Sequence, residues 1–484
     1  MNTDTPTVVW LRDDLRLADN PALTAAVHRA QPIIVLYLLD EVSAEIRALG
    51  SASRWWLHQS LASLDAAITE LGGTLTLRRG AAREAIPAIV AEAGAGAVYW
   101  NRRYGRSREI DADLKSSLRS GTSDGGGGSS GSGVSIDVQS FHASVLFEPW
   151  TVLNGQGEPY RVFAPFWRAC LEHDVRAPLP APAELRGTSI RSDALDDWAL
   201  DDGPLGSARP DWAAGLREHW TPGEDGAHER LDAFVSERLV DYHRRDEPAV
   251  PATSRLSPHL RFGELSPFQV WERVQHHRGA GAGKNATKFL SEVGWREFSW
   301  NILYNFPELH QKNYRPAYDN FPWKKPAAAT LRAWQEGRTG IPLVDAGMRE
   351  LWHSGYMHNR VRMVVASFLI KNLLVDWRVG EAWFWDSLVD ADEANNPASW
   401  QWVAGSGADA APYFRVFNPQ LQASKFDANN EYIRAWVPEF GTPEYPEAIV
   451  DLAESRQAAL AAYEAVKVQT IAERAIKAEA GDHR

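Results

Sequence analysis

The sequence predicts two structural classes in one chain: a doubly wound, Rossmann-like α/β domain with a parallel sheet at the N-terminus, and an all-helical domain at the C-terminus. Residues 1–141 alternate short apolar runs with helical stretches, which is typical of a parallel sheet. Residues 142–225 are rich in Pro, Asp and Gly, so we interpret them as a connector. Residues 226–484 show apolar positions at helical spacing. A Gly- and Ser-rich stretch at 120–133 predicts a flexible surface loop without chemistry.

Five apolar runs predict the strands of the sheet, at 7–12, 32–40, 74–80, 97–103 and 135–141. Asn20 followed by Pro21 is the expected cap and first residue of the first helix. Ligands of such sheets bind beyond the carboxyl ends of the strands. Several polar residues are expected at that edge: Arg12, Asp13, Asp40, Asn101 and Arg102.

Cap and pattern signals mark the helical half. Ser257-Pro258 and Ser266-Pro267 are typical helix starts, in which the serine caps the helix and the proline takes its first position. Residues 348–377 are apolar on all sides, which predicts a central position. Residues 452–480 predict an amphipathic tail helix.

Composition and charge exclude several classes of protein. The single cysteine, Cys170, excludes an internal disulfide and a cysteine-held iron–sulfur cluster, and no ligand spacing predicts a metal site. No apolar run approaches the roughly 20 residues of a membrane span. The N-terminus lacks a signal-peptide pattern, so we expect a cytoplasmic protein. The net charge of −12 argues against a globally basic nucleic-acid binder but allows a local basic rim.

Residues 389–402 carry the densest chemistry in the chain. They contain two carboxylates, paired amides and two tryptophans: Asp390, Asp392, Asn395, Asn396, Trp400 and Trp402. These groups suit a flat polar ring and the movement of electrons, whereas their spacing fits neither a metal site nor a hydrolytic carboxylate pair. Of the 21 tryptophans in the chain, we interpret most as core residues and a few as stacking or electron-transfer groups. The residue chemistry alone thus predicts a flat polar ligand beside tryptophans.

Six stretches stand in one order along nearly the whole chain: WLRDDLRLADNPAL (10–23), TSRLSPHLRFGELSP (253–267), KFLSEVGWREFSWNIL (288–303), GYMHNRVRM (355–363), DADEANNPASWQWVAGSGADAAPYFRVFNP (390–419) and a last one at 425–439. Together they resemble the photolyase/cryptochrome family, and in particular its bacterial CPD photolyases of class III or class I. The resemblance implies an N-terminal antenna domain and a C-terminal domain that binds FAD and DNA. It also implies either light-driven repair of UV-damaged DNA or blue-light signalling, by a monomer without membrane contact.

The resemblance implies ten residues around FAD: Tyr242, Thr253, Ser254, Ser257, Arg296, Asn359, Arg362, Asp390, Asp392 and Asn396. The three hydroxyl residues lie at predicted helix starts, where they suit a pyrophosphate but also fit plain helix caps. Arg362 and Asp390 are expected to form a buried ion pair beside the flavin ring. Asn396 is expected to face flavin N5, where photolyases carry Asn and plant cryptochromes carry an acid. A neutral amide favours the anionic reduced flavin that donates an electron, so it favours repair over signalling.

The resemblance also implies a substrate side. Four residues are expected at the damaged bases: Glu292, Trp295, Met363 and Trp402. The tryptophans would stack on a pyrimidine dimer flipped out of the duplex, and Glu292 would hydrogen-bond it and stabilise its anion. The alternative for Glu292 and Trp295 is a helix face packed in the core. Four cations are expected to contact DNA phosphates, although each alone also fits a solvated surface: Arg244, Arg245, Arg415 and Lys425. Arg244 and Arg245 are interchangeable in this role.

Three tryptophans match the family's electron-transfer chain from the flavin to the surface: Trp400, Trp377 and Trp323. Trp383 and Trp385 offer a branch, and any one of these rings also fits an ordinary core.

The antenna prediction depends on Asn101-Arg102-Arg103-Tyr104, because folate-binding relatives carry an acid after this Asn. The sequence of these four residues resembles that of class III photolyases and plant cryptochromes. It predicts methenyltetrahydrofolate, with a deazaflavin or an empty site as the alternatives.

Three functions remain open at this point. The first is a CPD photolyase, a carbon–carbon lyase in which light drives an electron from reduced FAD to the dimer. The second is a cryptochrome-type photoreceptor, and the third is a flavoprotein that binds DNA without repairing it. The cyclobutane dimer is the preferred lesion, because the (6-4) branch carries histidines near Met363 and its bacterial group needs an iron–sulfur cluster.

Overall fold

A computed structural model describes residues 4–120, 136–200, 211–277, 283–410 and 415–481, with side chains as far as residue 467. Within these ranges the chain forms two compact units. The first unit draws on residues 1–159, 167–240 and 254–304, and the second on 160–166, 241–253 and 305–484. The predicted loop at 120–133 lies, apart from Ser120, outside the described residues. The limits 1–141, 142–225 and 226–484 for the folding domains stay a prediction.

The first unit contains the five-stranded, all-parallel sheet that the alternation of strands and helices predicts. Its strands are β1 (Thr7–Leu11), β2 (Ile33–Leu39), β3 (Leu75–Arg79), β4 (Ala97–Asn101) and β5 (Asp137–Phe141), in the order β3-β2-β1-β4-β5. Thr7 in the central strand pairs with Ile33 on one side and with Ala97 on the other. Every residue of β1, β2 and β4 is buried, as in a sheet that is covered on both faces.

Among the described residues up to 305 the α-helices are α1 (Pro21–His28), α2 (Ser51–Glu70), α3 (Ala82–Ala93), α4 (Arg108–Ser120), α5 (Phe163–Cys170), α6 (Ala214–His219), α7 (Glu224–Ala233), α8 (Ser257–Phe262), α9 (Pro267–His276) and α10 (Gly283–Asn305). Short 3₁₀ or π-helical turns lie at Asp196–Trp198, Phe234–Arg238 and Leu239–Arg244. The first turn of α5 belongs to the second unit.

The helix caps follow the sequence at two of three predicted positions. Asn20 caps α1 and accepts a hydrogen bond from a first-turn N–H at 3.2 Å. Ser266 caps α9 in a reciprocal capping box with Gln269. The prediction that Ser257 is a cap is wrong. Leu256 already has right-handed helical backbone angles, so α8 begins at Ser257 and has no side-chain cap.

Contacts between distant parts of the sequence hold the loop after β1. The Arg16 guanidinium, 1% exposed, donates to the carbonyl oxygens of Asp19, Ala143 and Gly263. Gly263 has a φ of +65°, and a Cβ there would lie 2.1 Å from the carbonyl oxygen of Asp13. The loop is therefore fixed by residues that lie up to 247 positions later in the chain.

The second unit is helical. It contains α11 (Ala328–Gln335), α12 (Pro342–Ser354), α13 (Asn359–Ser367), α14 (Trp377–Ser387), α15 (Asn395–Ala404), α16 (Pro419–Phe426), α17 (Glu431–Trp436) and α18 (Leu452–Gly481), with a 3₁₀ turn at Pro316–Tyr318 and a π-helical turn at Phe368–Asn372. The 348–377 segment is largely buried, as predicted, and comprises the end of α12, all of α13, the π-helical turn and the start of α14. The predicted tail helix is confirmed as α18. None of the described helices is both long and apolar enough to cross a bilayer.

Candidate functional site

The loop that leads into α15 is organised by Asp392. Its carboxylate accepts hydrogen bonds from the backbone N–H groups of Ala394 at 2.8 Å and Asn395 at 2.5 Å, and from the Asn395 amide at 2.7 Å. An aspartate that bonds its own following backbone stabilises a turn. Asp392 is 7% exposed, so this turn is built inside the unit and sets the direction in which α15 begins.

Arg362 on α13 and Asp390 form the predicted ion pair. The two Nη atoms donate to the two carboxylate oxygens at 3.0 and 2.8 Å, and Nε donates to the Met357 carbonyl at 2.6 Å. Burial by itself lowers the pKa of the guanidinium, but attraction to Asp390 outweighs it, and the pKa is raised. Arg362 is therefore a fixed cation that also lies 5.0 Å from the ring centre of Tyr356.

Asn396 lies in the first turn of α15 and is 8% exposed. Its amide nitrogen donates to the backbone carbonyl of Glu381 at 3.2 Å and to its carboxylate at 2.9 Å. Both N–H bonds of the amide are thus used by one residue of α14, and the side-chain carbonyl oxygen remains as an acceptor. Glu381, 2% exposed, was not predicted, and its sequence signal is an acid between apolar neighbours in the middle of α14.

Trp400 of α15 packs against α14. It is 2% exposed and meets Phe384 edge to face, with ring centres 4.9 Å apart. Gly380 makes this approach possible, because a Cβ there would lie 2.2 Å from the Trp400 ring. Phe384 in turn stacks on Trp334 at 6.4 Å. The aromatic groups of the two helices are therefore in direct contact.

The other predicted electron-transfer rings differ in exposure. Trp377 is fully buried and donates its indole N–H to Asn313 at 2.9 Å. Trp323 is partly buried and packs on Phe321, with ring centres 4.1 Å apart. Among the branch candidates, Trp385 is buried, and Trp383 stacks at 6.0 Å on Trp352, which is 44% exposed.

Arg360 was not predicted, but it lies next to two residues that were. It is close to Met363, and it shares the Phe426 ring with Lys425. Its guanidinium pairs with Asp246 at 2.9 Å and lies 4.5 Å from the ring centre of Phe426. One Nη atom lies 4.0 Å from the sulfur of Met363. Lys425 is exposed and reaches over the same Phe426 ring at 4.9 Å.

Arg244 and Arg245 are not equivalent. Arg244 is exposed and pairs with Glu247 at 2.7 Å. Arg245 lies 5.6 Å from the ring centre of Tyr242, which is 6% exposed. Arg244 is therefore engaged at the surface, and Arg245 covers the predicted flavin-side tyrosine.

Three predicted residues of the first unit share one face of α10, because they follow each other at helical spacing. Glu292 is partly exposed and pairs with Lys288 at 2.7 Å. Trp295 meets Phe298 edge to face at 5.9 Å. Arg296 lies over the Trp300 ring at 5.9 Å. Glu292 and Trp295 are only half-buried, which fits a ligand-facing surface better than the packed core that was the alternative.

The remaining predicted site residues are half-buried or exposed. Ser254 accepts a hydrogen bond from the Leu256 N–H at 3.4 Å, Thr253 is half-buried, and Ser257 is exposed. Asn359 is exposed at the start of α13. In the second unit Trp402 is half-buried and lies 6.4 Å from Phe417, while Arg415 is exposed.

Most polar residues at the carboxyl edge of the sheet are saturated by the protein itself. Asn101 donates to Asp14 and Asn20 at 2.6 and 2.8 Å and accepts from a backbone N–H at 3.2 Å. Asp40 accepts from the backbone N–H groups of residues 42, 43 and 82. The same holds for the charged pairs of Asp13 with Arg261 and Arg102 with Glu148.

Arg12 is different. It is 7% exposed, and its Nε and Nη1 atoms lack a hydrogen-bond partner within the described part of the chain. Its Nη2 lies 3.5 Å from Asp111 and the guanidinium is 4.3 Å from the ring centre of Trp10. Burial lowers its pKa to about 10. A buried guanidinium with unused donors fits an acceptor-bearing planar ligand at this edge.

The parallel-sheet unit and a helical unit that contains a fixed ion pair, an oriented buried amide and clustered tryptophans fit the class of light-driven flavoproteins that the sequence motifs resemble. Residues 7–183 match the family model described as DNA photolyase, and residues 289–443 match the one described as FAD binding domain of DNA photolyase. The chain belongs to the photolyase/cryptochrome family and carries its FAD-binding domain.

The relatives include both branches of the family. The chain is 44% identical to a deoxyribodipyrimidine photo-lyase of Agrobacterium fabrum, over 96% of this chain and 99% of the relative. It is similar to the crystal structure of a class III photolyase from Agrobacterium tumefaciens, with a TM-score of 0.88 and 44% identity, over 96% and 98% of the two chains. It is 37% identical to Cryptochrome-2 of Arabidopsis thaliana, over 91% of this chain and 71% of the relative. The predicted family and fold class are confirmed.

Proposed function

We propose that the protein is a deoxyribodipyrimidine photolyase that uses light to split cyclobutane pyrimidine dimers in UV-damaged DNA. FAD, when bound and fully reduced, supplies the light absorption and the electron. The observation that carries the proposal is the Asn396 amide, which Glu381 holds so that a neutral carbonyl oxygen is presented. In this orientation the neutral amide accepts a hydrogen bond through its oxygen and has no acidic proton to transfer. It therefore favours the anionic, fully reduced flavin that repair needs.

The ion pair of Arg362 and Asp390 supports the same role. A fixed cation paired with a carboxylate supplies oriented charge beside a flat polar ligand without proton exchange. Because both charges are bound to each other and largely buried, they keep this orientation in the absence of substrate. The pair thus serves a redox cofactor better than it serves general acid–base chemistry.

On the substrate side, the proposal assigns Glu292 to the dimer. Its half-buried carboxyl group would hydrogen-bond the bases and stabilise the added negative charge when it carries or shares a proton. Trp295 and Trp402 would stack on the flipped bases, and Met363 would line the site. Flipping costs a few kcal/mol and costs least for a lesion that already stacks badly, which supplies part of the selectivity.

Arg360 is a further candidate for this side. Its guanidinium is already ordered by Asp246 and Phe426 and lies next to the sulfur of Met363. An ordered guanidinium is well suited to bind a phosphate or a carbonyl oxygen. The exposed cations Arg244, Arg415 and Lys425 would add phosphate contacts around it, in spite of the net charge of −12.

Trp400, Trp377 and Trp323 are proposed to return electrons to an oxidised flavin. Their graded exposure, from fully buried to partly exposed, supports a path that ends at the surface. For the antenna we propose methenyltetrahydrofolate at the carboxyl edge of the sheet, with the unused donors of Arg12 as the observation in its favour. A deazaflavin offers similar acceptors, and the absorption spectrum of the purified protein separates the two.

One assay tests the proposal. The purified protein, with its FAD chemically reduced, is incubated with a thymine-dimer oligonucleotide in near-UV or blue light and in the dark. We expect dimer-free DNA in the light only, from a protein that elutes as a monomer. Binding of the oligonucleotide without light-dependent repair would reject the enzyme in favour of a DNA-binding flavoprotein. Light-dependent flavin reduction without binding or repair would favour a cryptochrome-type photoreceptor, which the similarity to Cryptochrome-2 keeps as the second candidate.

A further inference from the structure

A buried lysine lies behind one of the proposed DNA contacts. Lys371, in the π-helical turn Phe368–Asn372, is 1% exposed. Its ammonium group donates to the backbone carbonyl of Arg415. It lies 6.0 Å from the ring centre of Phe417. The lysine thus reaches from the core of the second unit to the backbone of a surface segment.

The segment 415–417 is held at a second point. The N–H of Phe417 donates to the hydroxyl of Ser367 at 3.1 Å, and Ser367 is fully buried. Phe417 is 6% exposed, whereas Arg415 is exposed. The segment therefore changes from exposed at Arg415 to buried at Phe417, and one backbone bond holds it at each of these two residues.

The lysine is an unfavourable choice for packing alone. Burial lowers the pKa of Lys371 to about 7, and repulsion from Arg415 acts in the same direction. An apolar side chain of similar length would avoid this cost at a position surrounded by core residues. What an apolar side chain lacks is a donor for the Arg415 carbonyl.

We propose that Lys371 is a positioning residue for DNA binding, which fixes segment 415–417 and directs the Arg415 guanidinium outward to a DNA phosphate. The hydrogen bond fixes the backbone at Arg415, so the side chain extends from a fixed point at the surface. The inference rests on the proposed function, because it takes the DNA backbone as the ligand of Arg415.

The test compares Lys371→Met, Arg415→Ala and the double variant, all as FAD-loaded full-length protein. Affinity for a thymine-dimer oligonucleotide is measured in the dark by fluorescence anisotropy over a series of salt concentrations. Each single variant is expected to lose about fivefold to tenfold in affinity, as for one charge-assisted contact. Each should also reduce the slope of log affinity against log salt by about 0.9, the value for one phosphate. The double variant should match Arg415→Ala, because both changes remove the same contact.

Two readouts separate positioning from a general loss of structure. The free energy of unfolding of Lys371→Met in urea is expected to equal or exceed that of the wild type, because the substitution removes a buried ionisable group. The DNA affinity of the same variant is expected to fall. Lys467→Met makes the same charge change on α18, where the ammonium group pairs with Glu464, and should bind DNA like the wild type. Ser367→Ala removes the other backbone bond and should weaken DNA binding in the same direction, so the inference can be tested even if Lys371→Met does not fold.

Unchanged affinity and salt slope in Lys371→Met, or losses that add in the double variant, would overturn the positioning role of Lys371. Neither result would contradict the proposed function. A wild-type protein that shows no preference for the dimer oligonucleotide over undamaged DNA contradicts the proposed function instead. A wild-type protein with no DNA affinity overturns both.

Discussion

Replacing Glu297 by glutamine should remove a pH dependence of stability that the wild-type protein carries. Glu297 lies in α10 next to Arg296, and its carboxylate accepts from the backbone N–H groups of Leu146 and Phe147 at 2.6 and 3.2 Å. Burial nevertheless raises its pKa from 4.5 to about 7. Since the folded protein holds this proton more tightly than the unfolded chain, the free energy of unfolding falls as pH rises from about 4.5 to about 7.

The size of the effect follows from the two pKa values. One pKa unit corresponds to about 1.4 kcal/mol, so a change of about 2.5 units amounts to roughly 3 kcal/mol. A glutamine at this position keeps an acceptor for the two N–H groups and has no proton to release. The wild-type protein should therefore lose roughly 3 kcal/mol relative to Glu297→Gln on going from acidic to alkaline conditions.

Urea unfolding, followed by tryptophan fluorescence between about pH 5 and about pH 8, measures this difference. Glu308→Gln, which removes a surface carboxylate paired with Lys312, is the matched control and should leave the pH dependence of the wild type in place. Parallel curves for the wild type and Glu297→Gln would refute the reasoning, since they would mean that this carboxyl group titrates alike in the folded and unfolded chain.

Three further substitutions test the site. Asp390→Asn leaves the Arg362 charge without its partner and should lower the free energy of unfolding by about 3–5 kcal/mol. The variant should also lose bound FAD on gel filtration. A variant that keeps both its stability and its FAD would show that the ion pair is dispensable. Glu381→Ala removes the side-chain bond to the Asn396 amide and leaves only the backbone bond, so the absorption spectrum under illumination should show a lower yield of fully reduced flavin, whereas an unchanged yield would mean that the remaining contacts orient the amide. Glu292→Ala should lower the repair yield per absorbed photon more than it lowers dimer affinity, and equal loss of affinity with an unchanged yield would contradict its assignment to the dimer anion.

The sheet could be predicted from the sequence because its signals are local. Apolar runs and the turns between them locate β1 to β5, and Asn20 and Ser266 mark helix starts through bonds to their own first turns. Ser257 shows the limit of such signals. The same Ser-Pro pair begins a helix at both positions, but the residue before α8, Leu256, has helical backbone angles, and the pair itself carries no signal for this difference.

The candidate site also contains some residues that could be predicted from the sequence and others that could not. The Arg362–Asp390 pair could be predicted through the family resemblance, because both members belong to quoted motifs. Glu381, Arg360 and Lys371 could not be predicted from spacing, since each acts on a residue that only the fold brings close. An acid or a lysine between apolar neighbours indicates that a partner exists but does not say which residue it is.

The long-range bonds of Arg16 have a consequence for the order of synthesis. All five strands of the sheet have been made once residue 141 has left the ribosome, but one carbonyl acceptor of the Arg16 guanidinium belongs to Gly263. At elongation rates of about 5–20 residues per second the intervening residues take on the order of 10 s to appear. During that interval the Arg16 guanidinium has the Asp19 carbonyl as an acceptor but not the Gly263 carbonyl. A fragment that ends at residue 141 lacks both the Ala143 and the Gly263 acceptors permanently.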